Sequence, residues 1–154
     1  MDSIIYQDDT NKDIWLKLLL AIPVLIILGT AFYLLITNDV KAAIEMFGVV
    51  VLILIIFWLI FPKKYIILDS KVKIVLGGPF SFNIPFKNIK TARIPKGITS
   101  GINFPSSFSG KHAVQIVRKK GMNVNITPAD RELFLKNLEK AMDDWEKYYS
   151  RGTA

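Results

Sequence analysis

Two apolar runs dominate the first part of the chain. Residues 14–36 read IWLKLLLAIPVLIILGTAFYLLI, with Lys17 as the only charge, and residues 42–61 read AAIEMFGVVVLILIIFWLIF, with Glu45 as the only charge. A helix needs about 20 mostly apolar residues to cross a hydrocarbon core of ~30 Å. A helix in a soluble core keeps a polar stripe toward water, and neither run has one. The first run is too long for the apolar region of a signal peptide, and no A-x-A site follows it. The pattern therefore predicts two membrane-spanning helices, at about 14–36 and 42–61. The connecting TNDVKAA only turns the chain back, which makes them an antiparallel hairpin. Lys17 lies near a helix end and can snorkel to the headgroups. Pro23 is expected to kink the first helix. Glu45 is expected in the first turn of the second, where a carboxylate suits the helix dipole. Trp15, Tyr33, Trp58 and Tyr65 lie toward the ends, as interfacial aromatics do.

After Pro62 the period changes. YIIL and KVKIVL flank Asp69-Ser70 as a strand pair, with Val72, Ile74 and Leu76 alternating with Lys71 and Lys73. SFNIPF and NIKTARIP follow the turn GGPF. Their prolines confine them to edges or strand ends. Residues 96–110, KGITSGINFPSSFSG, have turn composition and are expected to form a long loop. HAVQIVRK and MNVNIT flank Lys120-Gly121 as a hairpin. The last element is a helix, with Thr127 as the expected N-cap, Pro128 at its first position and Asp130 three residues after Thr127. Phe134, Leu138, Ala141, Trp145 and Tyr148 form its apolar stripe, and Phe134, Leu138 and Trp145 are its expected anchors. The organisation is thus α+β: an N-terminal tail over 1–13, a hairpin over 14–61 and a β-rich domain over 62–150.

Charge adds orientation. Lys12 and Lys17 flank the first helix, and Lys63 and Lys64 leave the second, while the connecting turn offers only Lys41. Lys and Arg stay on the cytoplasmic side, so both termini are expected in the cytoplasm and the chain in the cell membrane as a two-span protein. Residues 62–127 hold ten Lys and two Arg against one acidic residue, Asp69, a net charge of +11, whereas residues 1–13 carry −3. Lysines beside anionic lipid contribute about 1 kcal/mol each, fading within a Debye length. The candidate anion contacts are Lys63, Lys64, Lys71 and Lys73 first, then Lys87, Lys90, Arg93 and Lys96. Two uses of this surface stand open: contact with lipid headgroups, or a solvated face that only sets topology.

YIILDSKVKIVLGGPFSFNIPFKNIKTARIP, a strand pair followed by I-P-aromatic-x-x-I, resembles the bacterial pleckstrin-homology-like (PH-like) domains that follow transmembrane hairpins. VNITPADRELFLKNLEKA, a strand running into a Thr-Pro helix start, resembles them too. The likeness covers about residues 62–149. It implies a bent, partly open antiparallel β-barrel of about seven strands capped by the C-terminal helix. Six strands are legible, and the seventh is expected within 97–108. It also implies a binding module rather than an enzyme. Phosphoinositide recognition does not carry over, because the K-x-n-[KR]-x-R strand-pair pattern is missing.

Other chemistry finds little support. There is no Cys, which excludes disulfides, thiolate metal sites and cysteine nucleophiles. The single His112 has Ser106, Ser107 and Ser109 nearby, but no G-x-S-x-G and no carboxylate close in sequence. Gly110-Lys111 lacks the first glycine and the Ser/Thr of a phosphate loop. The acidic residues sit mostly on the exposed helix face, so neither a metal nor another cofactor is expected. The aromatics among the basic strands fall at core or turn positions, which argues against nucleic acid. Between Leu18 and Ile36, and between Met46 and Phe61, no ionisable group marks an ion or proton route, apart from tyrosine. Two functions follow as expectations. The first is a membrane-anchored PH-like binding or scaffolding module. The alternative is a small accessory subunit of a larger membrane complex, a transporter or secretion assembly, whose partner is held by the hairpin.

Overall fold

The structure, a computed structural model, describes residues 3–10, 14–95, 97, 100–104 and 112–151, with the backbone alone for 149–151. In chain order the elements are β1 (Ile4–Asp9), α1 (Ile14–Ile36), α2 (Val40–Ile60), β2 (Lys64–Leu68), β3 (Lys71–Val75), β4 (Ser81–Pro85), β5 (Ile89–Arg93), β6 (Ile102–Phe104), β7 (Val114–Arg118), β8 (Val124–Ile126) and α3 (Arg131–Arg151). One turn of 3-10 helix, Phe86–Asn88, joins β4 to β5.

The hairpin forms as its composition dictates. α1 continues through Pro23. α2 begins at Val40, earlier than expected, because the Asp39 side chain accepts a hydrogen bond from the Ala42 N–H at 3.2 Å and so caps the helix. Glu45 therefore lies beyond the first turn, and Asp39 takes the dipole-compensating place expected for it. Asn38, at φ 64°, supplies the left-handed residue of the tight reversal. Ala31, Ala43 and Val50 are buried between the helices, and Phe32 meets Phe47 edge to face at 5.6 Å. The rest of the apolar surface faces outward, including Trp15, Leu25, Ile26, Tyr33, Val51, Leu52 and Trp58. Both helices are long and apolar enough to cross a membrane. Soluble monomers rarely expose so large a continuous apolar surface, which suggests a membrane protein.

Two four-stranded sheets follow, ordered β1-β2-β3-β4 and β5-β7-β8-β6. Their inner faces supply Tyr65, Ile67, Val72, Ile74, Ile84, Val114, Ile116, Val124 and Ile126, all buried. The seventh strand expected within 97–108 is β6, which pairs with β8 in parallel, whereas the other described pairs are antiparallel. α3 packs on β1, β2 and β5, and so closes one side of both sheets. Phe134, Leu138 and Ala141 are its buried residues. Trp145 is only partly buried, and Tyr148 is 76% exposed, so the stripe leaves the core at its C-terminal end.

Further expectations need correction. Tyr65, expected among the interfacial aromatics, is fully buried in the domain core, edge-on to Phe134 at 6.3 Å, because it points inward from β2. Residues 1–13, expected as a tail, contain β1, an integral strand paired with β2 from Ile4↔Leu68 to Asp9↔Lys64. Thr127 and Pro128 do not start α3. The Thr127 N–H donates to the Tyr65 hydroxyl, Pro128 bridges to Thr10, and Asp130 caps the helix by accepting from the Leu133 N–H at 3.0 Å.

β1 also reaches that cap. Asp8 Oδ2 accepts from the Asp130 N–H at 3.0 Å. Burial raises the Asp8 carboxyl above its usual range, and the nearby Asp130 and Asp9 carboxylates add to this, while backbone N–H bonds pull it back only in part. A carboxyl with a raised folded pKa stabilises the fold below its unfolded pKa and loses that contribution as pH rises through the folded value. At neutral pH the native chain therefore carries an ionisation penalty at Asp8. Asp8→Asn keeps an acceptor for the Asp130 N–H and removes the charge. We expect it to melt at or above the native temperature near neutral pH in detergent. The advantage should shrink as pH falls toward 3.8, the ordinary value for this side chain. A lower melting temperature at neutral pH would show that the charge itself stabilises the cap.

Candidate membrane-facing surface

The junction between hairpin and domain is short. α2 ends at Ile60, Phe61 turns to extended backbone, Pro62 is buried, and the Lys63 N–H already donates to the Val75 carbonyl at 2.7 Å. β2 then runs away from the exit of α2, β3 returns to it, and β4 leaves again. The exit end of the first sheet therefore carries Lys63, Lys64, the β3–β4 turn and, from β1, Asp9. Because β1 and β2 are paired neighbours, the hairpin is an insertion between two adjacent strands.

Strand alternation decides which lysines face outward. Tyr65, Ile67, Val72 and Ile74 are buried, which puts Lys64, Lys71 and Lys73 on the opposite face. They are not equivalent. Lys63 and Lys64 sit at the exit end. Lys73 lies opposite Ile66 and Asn83, and Lys71 lies opposite Pro85 at the far end. At ~3.3 Å per residue, Lys71 is about 13 Å from Val75 along the strand, beyond a Debye length of ~8 Å. Lys64 also faces Asp9 across the β1–β2 pair, and Asp8 and Asp130 lie at the same end. These carboxylates temper the positive charge that the sequence of 62–127 suggests by itself.

The second set lies elsewhere. Lys87 sits in the 3-10 turn, whose Phe86 N–H donates to the Ser70 carbonyl, so Lys87 belongs to the far end. Asn88 joins it to the β7–β8 hairpin through the Lys119 and Lys120 N–H groups, at 2.8 and 3.0 Å. Lys119 and Lys120 thus extend a cluster for which charge spacing gave no signal. Lys90 and Arg93 are exposed on β5, and the Arg93 guanidinium donates twice to Gln115 Oε1, at 3.1 and 2.9 Å. Lys96 lies outside the described residues, as do most of the 96–110 loop, Ser106, Ser107, Ser109 and Gly110-Lys111.

Hollows also mark the surface of the described residues. A groove of about 510 Å³ at the far end is lined by Ile5, Asp69, Ser70, Ala141, Asp144, Trp145 and Tyr148. A shallower one of about 250 Å³ brings His112 beside Arg131 and beside the carboxylates Asp130 and Glu132, which lie far from it in sequence. Asp130 is engaged as the cap of α3, and Arg131 lies 3.8 Å from Glu132. Among the described residues no group of three His, Cys, Asp or Glu is placed to hold a metal.

Two sheets packed around one core and closed by a C-terminal helix define a PH-like domain, a class that typically binds rather than catalyses. The family model for the bacterial PH domain matches residues 63–142, just over half of the chain, and the chain belongs to that family. The match begins at the exit of α2, so β1 and the hairpin lie before it. Comparison with curated proteins and with solved structures yields no match.

Proposed function

We propose that this chain is a non-catalytic binding or scaffolding module. In this reading the hairpin anchors it in the cell membrane, both termini are cytoplasmic, and Lys63 and Lys64 lead its contact with anionic lipid headgroups. The observation that carries the reading is the insertion of the hairpin between paired neighbours. Because β1 and β2 are hydrogen-bonded to each other, both ends of a spanning hairpin must emerge on one side. The exposed apolar surface of α1 and α2 supports insertion, and the lysines at the exit end support a cytoplasmic face. The contact is electrostatic, because no specific phosphate motif accompanies it. A tethered domain needs little intrinsic affinity to hold one orientation.

The test is co-sedimentation of a chain in which a short polar linker replaces the hairpin and β1 is retained. It should bind vesicles containing anionic lipid at low salt and lose them as ionic strength rises well above physiological. Lys63→Gln and Lys64→Gln should each weaken binding about fivefold, and Lys87→Gln should change it little. Equal binding to neutral vesicles, or none at low salt, would leave the lysines a role in topology alone.

A further inference from the structure

We propose that the β3–β4 turn, Gly77–Phe80, is a membrane finger, and that Phe80 enters the boundary between headgroups and acyl chains of the bilayer that α2 spans. The proposal rests on the spanning reading of the hairpin and adds a contact which that reading does not require.

The depth of the turn is set by packing against α2. Gly77 is buried against the backbone of Trp58 and Leu59, and a Cβ at this position would overlap the Trp58 carbonyl. Gly78 has φ +64°, and a side chain there would come within 3.2 Å of the Trp58 ring. Two glycines thus let the turn lie directly on the last turn of the helix. Trp58 precedes the end of the apolar run, Phe61, by three residues, a rise of about 4.5 Å. The turn is therefore held at the level of apolar helix surface and not above it.

The exposed tip has the chemistry of that level. Pro79 and Phe80 point away from the core, Phe80 at 55% exposure, and Trp58 beside them is 54% exposed. Phe82, two residues on, turns inward and packs on Phe104 at 5.4 Å, so the exposure of Phe80 is not a general property of this strand. Residues 74–86 contain no charge, while Lys63, Lys64 and Lys73 stand behind the tip on the same sheet. Apolar tips backed by cations suit the membrane interface, where aromatic rings concentrate. The Leu76 N–H donates to the Phe80 carbonyl at 3.0 Å, which satisfies backbone groups that would otherwise resist entry. With the finger inserted, α2 and the turn hold the sheet at two points and keep its exit end toward the headgroups.

The absence of native cysteine allows a direct test in the full-length protein, reconstituted in bilayers of mixed zwitterionic and anionic phospholipid. Single cysteines replace Pro79, Ile56 and Asn83 in turn, and each carries a small environment-sensitive dye. Quenching is measured with nitroxides fixed at shallow or deep positions of the lipid chains, and with aqueous iodide. Ile56→Cys should be quenched by the deep nitroxide, which reports insertion of α2, and Asn83→Cys by iodide. Pro79→Cys should be quenched by the shallow nitroxide and severalfold less by iodide than Asn83→Cys. Adding Phe80→Asp should abolish the lipid quenching at position 79 and leave the signals at 56 and 83 unchanged. If position 79 is as open to iodide as 83 while 56 stays lipid-quenched, the finger is wrong and the anchor stands. Persistence of lipid quenching at 79 in the Phe80→Asp background would also overturn it. Loss of lipid quenching at 56 would overturn anchor and finger together.

Discussion

Removal of residues 1–10 is expected to unfold the PH domain, although the bacterial PH family match begins only at residue 63. β1 supplies the outer strand of the first sheet, over Ile4↔Leu68 to Asp9↔Lys64. It also ties down the start of α3, because the Ala129 N–H donates to the Asp9 carbonyl and the Asp130 N–H to Asp8. The Tyr6 ring lies edge-on to Phe134 at 6.3 Å. Each ladder hydrogen bond contributes about 1 kcal/mol net. Loss of the whole strand, its ring contact and its hold on α3 is therefore on the order of 5 kcal/mol, the full stability of a marginal domain. The bared edge of β2 would also invite aggregation. Residues 62–154 alone should accordingly be unfolded or aggregated. A chain that keeps residues 1–10 and joins them to Lys63 by a linker of about four residues, a hairpin-loop length, should give a cooperative melt. Equal melting of the two by circular dichroism would show that β1 is dispensable.

Phe134→Ala should be the most damaging single change in α3. Phe134 is fully buried, with its ring edge-on to both Tyr6 and Tyr65 at 6.3 Å. It therefore joins the N-terminal strand, the first strand after the hairpin and the C-terminal helix. Truncation of such a phenylalanine costs about 3–5 kcal/mol. Trp145, expected from the stripe to be an equal anchor, is only partly buried and meets Phe86 edge-on at 6.3 Å. Its truncation should cost about 1–2 kcal/mol, from partial apolar burial and one ring pair. Thermal melting of the linked domain should therefore separate the two, with Phe134→Ala unfolded at temperatures where Trp145→Ala remains native. The reverse order would place the anchor of α3 at its C-terminal end.

The hairpin, the strands after it and the amphipathic helix are legible because each carries its signal locally. Val72, Ile74, Lys71 and Lys73 show the period of a half-buried strand without reference to anything distant. β1 is not legible. Its register shifts between Ile4 and Tyr6, which breaks the alternation, and its partner lies beyond the whole hairpin. The start of α3 misleads for a related reason. Thr127-Pro128 has the composition of a helix start, but tertiary partners, Tyr65 and Thr10, hold those residues in the sheet, and the cap passes to Asp130. The candidate surface divides in the same way. The number of lysines is a property of composition, whereas their distribution between the exit end and the far end depends on strand direction. So does the approach of Gly77 and Gly78 to Trp58, which in the chain itself is only a turn signal.

Cysteine accessibility across the membrane tests the central claim most directly. Thr37→Cys places a thiol in the hairpin turn, and Lys120→Cys places one on the domain. In intact cells a membrane-impermeant maleimide should label position 37 and spare position 120, and permeabilisation should then expose 120. Labelling of both positions in intact cells, or of neither until the membrane is opened, would put the turn and the domain on one side and contradict a spanning hairpin.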